Sequence, residues 1–172
     1  MAIALLWATA LAVTGFLLVS VQGFTVASGL HAGSAVAKAI VTRHVGYAIP
    51  TVLLSLFSQT MVIFYFIGTG RLVKDEIAGW PEEARKPALA VLRRLKRRTS
   101  PPATLALASA IAVFVLGGAV HTRALPSLAH LASAALAVAL HIWALLAEAR
   151  AFAENHRLMA DPGGYAGGAA GS

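Results

Sequence analysis

The stretch Leu125–Ala147, LPSLAHLASAALAVALHIWALLA, decides the fold. It holds no Lys, Arg, Asp or Glu, and it is long enough to cross a hydrocarbon layer, which takes roughly 20 helical residues. Its ionisable groups are His130 and His141. The whole chain shares this character. Of 172 residues, 58% are hydrophobic and 12% charged, and none is cysteine. The mean hydropathy is +0.75. A soluble domain carries about 25% charged residues, so this chain has too few to cover a globule's surface. Disordered and disulfide-stapled classes are excluded too, the latter because no thiol is available to pair. The composition is that of a membrane protein, and the length permits one compact unit.

Three further stretches have the same reach: Ala2 to about Val21, about Tyr47 to Thr69, and about Ala103 to Val120, entered through Ser100-Pro101-Pro102. The sequence therefore predicts an all-α integral membrane four-helix bundle. Its spans are about 2–21, 47–69, 103–120 and 125–147, in one membrane domain over residues 1–160. The fourth helix is expected to continue to about Met159. The Gly-rich tail 161–172 (DPGGYAGGAAGS) reads as flexible. Met1 to Gly23 holds no Lys or Arg, so the first stretch reads as a retained span rather than a signal peptide.

The cations set the orientation. Between Arg71 and Ser100 lie Arg71, Lys74, Arg85, Lys86, Arg93, Arg94, Lys96, Arg97 and Arg98, whereas the two other connections offer Lys38, Arg43 and Arg123. The positive-inside rule puts the basic loop and both termini in the cytoplasm, as in a bacterial-type inner membrane. Within that loop, Trp80-Pro81-Glu82-Glu83 reads as a helix start. Leu89, Val91, Leu92 and Leu95 give the segment an apolar side and the later cations a basic end. A short amphipathic helix lying on anionic headgroups is expected there. A stop-transfer flank explains the basic cluster without nucleic acid as a partner.

On this topology the histidines gather on one side. His31 and His44 fall in the first external connection, and His121 and His130 flank the second. His141 lies deep in the fourth span, and His156 is cytoplasmic. Along the fourth helix His130, His141, Glu148 and Asn155 are spaced 11, 7 and 7, within about 20° of one line. Along the second, His44, Thr51, Ser55, Ser58, Val62 and Thr69 share a line, with Gln59 at its edge. Lipid cannot satisfy such stripes, so both are expected to face the bundle interior. At about 1.5 Å per residue, His130 lies roughly 6 Å and His141 roughly 22 Å below the outer face. His141 is then expected to meet Ser58 or Gln59, and His130 to lie near His44 and His121. On the third helix Ala103, Ala106, Ala110 and Gly117 form a small-residue side that allows close helix approach.

These features point to a b-type haem near the outer face. Haem iron takes neutral imidazole axially, and the macrocycle needs a slot lined by apolar and small side chains. The candidate ligands are His44 with His121 or His130, with Arg43 and Arg123 as cations for the propionates. His141 is placed for a second haem or, with Ser58 and Gln59, for the border of a quinone pocket. The expected role is one-electron transfer, at most as an electron-transfer or oxidoreductase subunit. Two other readings stand beside it. One is a cofactor-free accessory subunit within a larger membrane complex or a homo-oligomer. The other is an outward-facing copper or zinc protein using His31, His44, His121 and His130, weakened by the absence of thiolate or carboxylate ligands on that side. The spans contain no acid until Glu148 at the inner edge, which argues against a channel or proton-coupled carrier. No triad, metal-hydrolase spacing or nucleotide fingerprint appears.

Overall fold

In a computed structural model, residues 1–27 and 35–167 are described. His31 and the last part of the Gly-rich tail, residues 168–172, lie outside them. The described chain is helical: α1 Ala2–Ala27, α2 Ala35–Glu76, α3 Glu82–His121, α4 Ser127–Ala160 and a single turn, α5 Gly164–Gly167. The four long helices are all apolar enough and long enough to cross a membrane. In the turn after α4, Asp161 Oδ1 accepts the Gly164 N–H at 2.8 Å, and Tyr165 packs back on the cluster formed by Val73, Ile77, Ala88, Val91, Leu95, Ala151 and Leu158.

The structure corrects one expectation. The basic segment after Trp80 is not a separate short helix lying between the second and third spans. It is the first half of α3, which runs unbroken from Glu82 to His121 through Pro87, Pro101 and Pro102. Each proline lacks an N–H and so frees the carbonyl one turn earlier, at Glu83, Arg97 and Arg98 respectively. The helix survives because one packed stripe runs through the break. Ala88, Val91, Leu95, Thr99, Pro102, Ala103, Ala106, Ala110 and Val113 are all buried, at helical spacing, and Thr99 donates back to the Leu95 carbonyl at 2.9 Å. Tertiary packing on both sides of the prolines holds the two halves in line. The start is as the sequence predicts, with Pro81 at the N-cap and Glu82 and Glu83 in the first turn.

The turn at the other end of α3 is equally defined. Arg123 has φ 61°. Its N–H reaches the Val120 carbonyl at 3.0 Å, and the Ala124 N–H reaches the Ala119 carbonyl at 2.8 Å. That crossed pair of bonds around a left-handed residue closes the helix and turns the chain into Pro126 and α4.

α1 packs against α2 and α4, and α3 also packs against α2 and α4, so the helices close a ring with α2 facing α4 across its centre. The closest approaches use small residues. Ala103, Ala106 and Ala110 of α3 and Ala137, Ala144 and Ala151 of α4 are fully buried. Gly15 of α1 abuts Thr51 of α2, where a Cβ would lie 2.7 Å from the threonine hydroxyl. The polarity runs opposite to that of a soluble bundle. Trp7, Leu18, Leu53, Phe57, Phe64 and Leu128 are exposed, while Thr9, Ser55, Ser58, Gln59, His141 and Glu148 have no exposed surface. Lipid is the solvent that satisfies the first set and rejects the second.

Replacing Ala137 with Leu is expected to lower the stability of the detergent-solubilised protein by about 1–3 kcal/mol, because the close α3–α4 approach has no room for an isobutyl group. Leu136→Ala, one residue away on the exposed side, is expected to leave the melting temperature nearly unchanged. Equal shifts in thermal melts of the two variants would contradict this packing.

Candidate functional site

The polar lines of α2 and α4 do face each other, and they meet in layers. The first layer joins His44 of α2 to His130 of α4. Their ring centroids lie 6.2 Å apart with the planes at 81°, edge toward face. Each ring also rests on a glycine of a neighbouring helix. A Cβ on Gly23 of α1 would come within 3.1 Å of His44 Cε1, and one on Gly117 of α3 within 3.1 Å of His130 Cε1. The backbone of Val19 lies beside the first ring and that of Val113 beside the second. All four long helices therefore contribute to this end of the bundle. Both imidazoles are half-buried, and the Nδ1 atom of each is shielded from solvent with no hydrogen-bond partner among the described residues. On the same turn of α1, the Gln22 Oε1 atom is likewise unpartnered.

The other residues expected around this pair are placed elsewhere. His121 ends α3, fully on the surface, and Arg123 is exposed as the left-handed residue of the turn. Arg43 is also exposed, next to His44 on α2. The structure thus selects His130 rather than His121 as the neighbour of His44. Sequence phase had left both open, because the bend that follows His121 cannot be read from helical periodicity.

The second layer belongs to His141, which has no exposed surface. Its Nδ1–H donates to the Ala137 carbonyl at 2.7 Å, and its Nε2 meets the Ser55 hydroxyl at 2.6 Å. A carbonyl only accepts, so Nδ1 carries the hydrogen and the neutral ring accepts at Nε2 from Ser55. The Phe16 ring covers one side at 4.3 Å between centroids. Both nitrogens are therefore engaged, which leaves neither free for a metal or quinone without breaking a bond. The partner is Ser55, one turn from the expected Ser58 and Gln59. Ser58 instead donates to the Ser55 carbonyl of its own helix at 3.1 Å.

The third layer belongs to Glu148, which lies fully buried, as its place on the inward line of α4 implies. Thr9 of α1 donates to its Oε2 at 3.0 Å, and Gln59 of α2 lies beside the carboxyl group. Glu148 Oε1 and both amide atoms of Gln59 have no hydrogen-bond partner among the described residues. Thr9 sits about 10 Å along α1 from its start, so Glu148 shares a level inside the apolar run of the first helix. The signal was present: Glu148 is on the same line of α4 as His130 and His141. A fourth layer follows, where Asn155 donates to the Tyr65 hydroxyl at 3.3 Å and Thr69 donates to Asn155 Oδ1 at 3.4 Å.

Chemically, the layers differ in what they have left to give. His141 and Asn155 are satisfied by the bundle itself. The Glu148–Gln59 layer and the His44–His130 layer keep unpartnered polar atoms. Among the described residues no group of three or more His, Cys, Asp or Glu side chains is placed to hold a metal ion, so the first layer offers a pair of imidazoles and no third ligand of that kind.

Glu148→Gln keeps an acceptor for Thr9 at nearly constant volume and is expected to melt close to the parent. Glu148→Ala removes that acceptor and opens a void, and is expected to cost about 2 kcal/mol. Thermal unfolding in detergent checks the order, and an alanine variant as stable as the glutamine variant would contradict it.

No protein family, curated protein or solved structure matches this chain.

Proposed function

We propose that this chain is an inner-membrane, four-span haem b protein in which His44 and His130 are the axial ligands, serving one-electron transfer within the membrane. The observation that carries the reading is the His44–His130 pair itself. His44 and His130 would hold the group between them: they come from α2 and α4, which face each other across the bundle, and their ring centroids stand 6.2 Å apart. Gly23 and Gly117 keep side chains away from the ring edges, and a buried nitrogen on each ring has no hydrogen-bond partner among the described residues. A pair favours a group with two axial positions over a free copper or zinc ion, which takes three or four protein ligands.

Bound haem would supply the redox centre, exchanging a single electron without proton or group transfer. The protein's share is to hold two neutral imidazoles, to exclude water with the apolar walls of α1 and α3, and to present cations. Arg43 directly precedes His44 in sequence and is exposed at that end, where it would meet a propionate. With the basic turn between α2 and α3 in the cytoplasm, the pair lies toward the outer face. Quinone remains the natural electron partner in a bilayer. His141 is not proposed as a ligand here, since Ser55 and Ala137 already engage both nitrogens.

The test is optical. Protein purified from haem-replete cells is expected to show a Soret band and, after dithionite, a sharp α band. His44→Ala and His130→Ala should each remove or shift these bands, whereas His121→Ala and His156→Ala should leave them unchanged. A colourless preparation would overturn the redox reading and leave the cofactor-free accessory subunit in its place. Bands lost in His141→Ala but kept in His44→Ala would move the site one layer deeper.

A further inference from the structure

At the end of the bundle remote from the histidine pair, a groove of about 750 Å³ opens between α2 and α3. Its two ends differ in chemistry. Toward the middle of the bundle it is walled by Val62, Ile63, Phe66 and Ile67 of α2. Toward the α2–α3 turn it is rimmed by Arg71 and Lys74 of α2 and by Arg93 and Lys96 of α3, with Asp75 as the one acid in its lining, and Leu89, Leu92 and Leu95 of α3 line it beneath these cations. Thr99, Ser100 and Asn155 also line it, with the Thr99 hydroxyl bonded to the Leu95 carbonyl and Asn155 to Tyr65 and Thr69. Gly70 stands at the junction, where a Cβ would meet nothing nearer than Leu92 Cδ2 at 3.9 Å.

The four rim cations are not spent on acids, a condition they share with Arg97 outside the groove but not with their neighbours on α3 that face α4. Lys86 pairs with Glu82 and Glu83, and Arg94 and Arg98 both reach Glu154 of α4. Among the described residues Arg71, Lys74, Arg93 and Lys96 make no ion pair. Four like charges around one opening repel one another, and a single acid does not offset them. The contrast with Arg94 and Arg98 is informative, because those two share α3 with Arg93 and Lys96 and differ only in the side they face.

We infer that this groove is a binding site for one anionic phospholipid, with the phosphate against Arg71, Lys74, Arg93 and Lys96 and an acyl chain along Val62, Ile63, Phe66 and Ile67. The groove pairs a cationic rim with apolar walls on both helices, as the molecule pairs a headgroup phosphate with hydrocarbon. Pro101 and Pro102 mark where α3 enters its apolar half, so the cations sit at headgroup level. Cytoplasmic leaflets carry the anionic lipids, and basic pockets between helices on that side recognise them. A soluble phosphate would use the cations and leave the apolar walls idle. The inference rests on the bilayer reading and is independent of haem.

The experiment is native mass spectrometry of the full chain released from nanodiscs holding equal parts phosphatidylglycerol and phosphatidylcholine. The wild type is expected to retain one phosphatidylglycerol, in about tenfold preference over phosphatidylcholine. The variant Arg71→Gln/Lys74→Gln/Arg93→Gln/Lys96→Gln is expected to lose the preference. Arg97→Gln, on a cation outside the groove, should keep it. Gly70→Leu fills the junction without altering charge and should weaken retention, so the site is tested even if the fourfold variant fails to fold. Equal retention of both lipids by the wild type would overturn the proposal, as would a loss in Arg97→Gln as large as in the groove variants. Displacement of the lipid by millimolar inorganic phosphate would reassign the site to a soluble anion. A positive lipid result with a colourless protein would leave this site standing and the haem reading refuted.

Discussion

A hydrocarbon layer offers no hydrogen-bond partner, and the rest of this structure depends on that constraint. The polar line of α4 can be satisfied only by the other helices, so it fixes the rotation of α4 and, through Ser55 and Thr69, that of α2. The bond between Ser55 and His141 at 2.6 Å ties the two lines at mid-bundle. The Thr9–Glu148 bond at 3.0 Å brings α1 into the same register. Small residues then let the backbones close around the polar centre: Gly15 against Thr51, and the alanines of α3 against those of α4.

The layers along the axis are not equivalent, and the difference is one of satisfaction. At His141 and Asn155 the protein supplies every partner its buried groups need. Where it does not, at His44 and His130 and again at Glu148 and Gln59, buried polar atoms remain open. Buried polar groups without partners are costly, by roughly 1–3 kcal/mol each in proteins, and they concentrate where another species is meant to bind. The histidine pair is the more specific of the two because glycine lies beside both rings.

Much of the fold was legible in the sequence. Uninterrupted apolar length gave the four helices long enough to cross a membrane, and the 11, 7, 7 spacing on α4 gave its inward face. Ala103, Ala106 and Ala110 were readable as a packing side. The separate amphipathic helix was not right, because Pro101-Pro102 is a helix breaker by local propensity alone, and only the stripe from Ala88 to Val113 overrides it. Of the site residues, His44 and His130 were brought together, whereas His121, Arg43 and Arg123 were left on the surface. Glu148, on the same inward line of α4 as His130 and His141, is buried as that line implies.

The sequence by itself determined that the chain belongs in a bilayer, how many times it can cross, and which faces of α2 and α4 turn inward. These follow from transfer free energies and helical periodicity, which are properties of segments. Which imidazole meets which, that His141 is saturated while His44 and His130 are not, and that Arg71, Lys74, Arg93 and Lys96 ring one groove while Arg94 and Arg98 are spent on Glu154, were decided only by the tertiary structure. Those outcomes depend on the vertical register and mutual rotation of helices far apart in sequence. A shift of one residue moves a side chain about 100° and 1.5 Å, enough to exchange a ligand for a lipid contact.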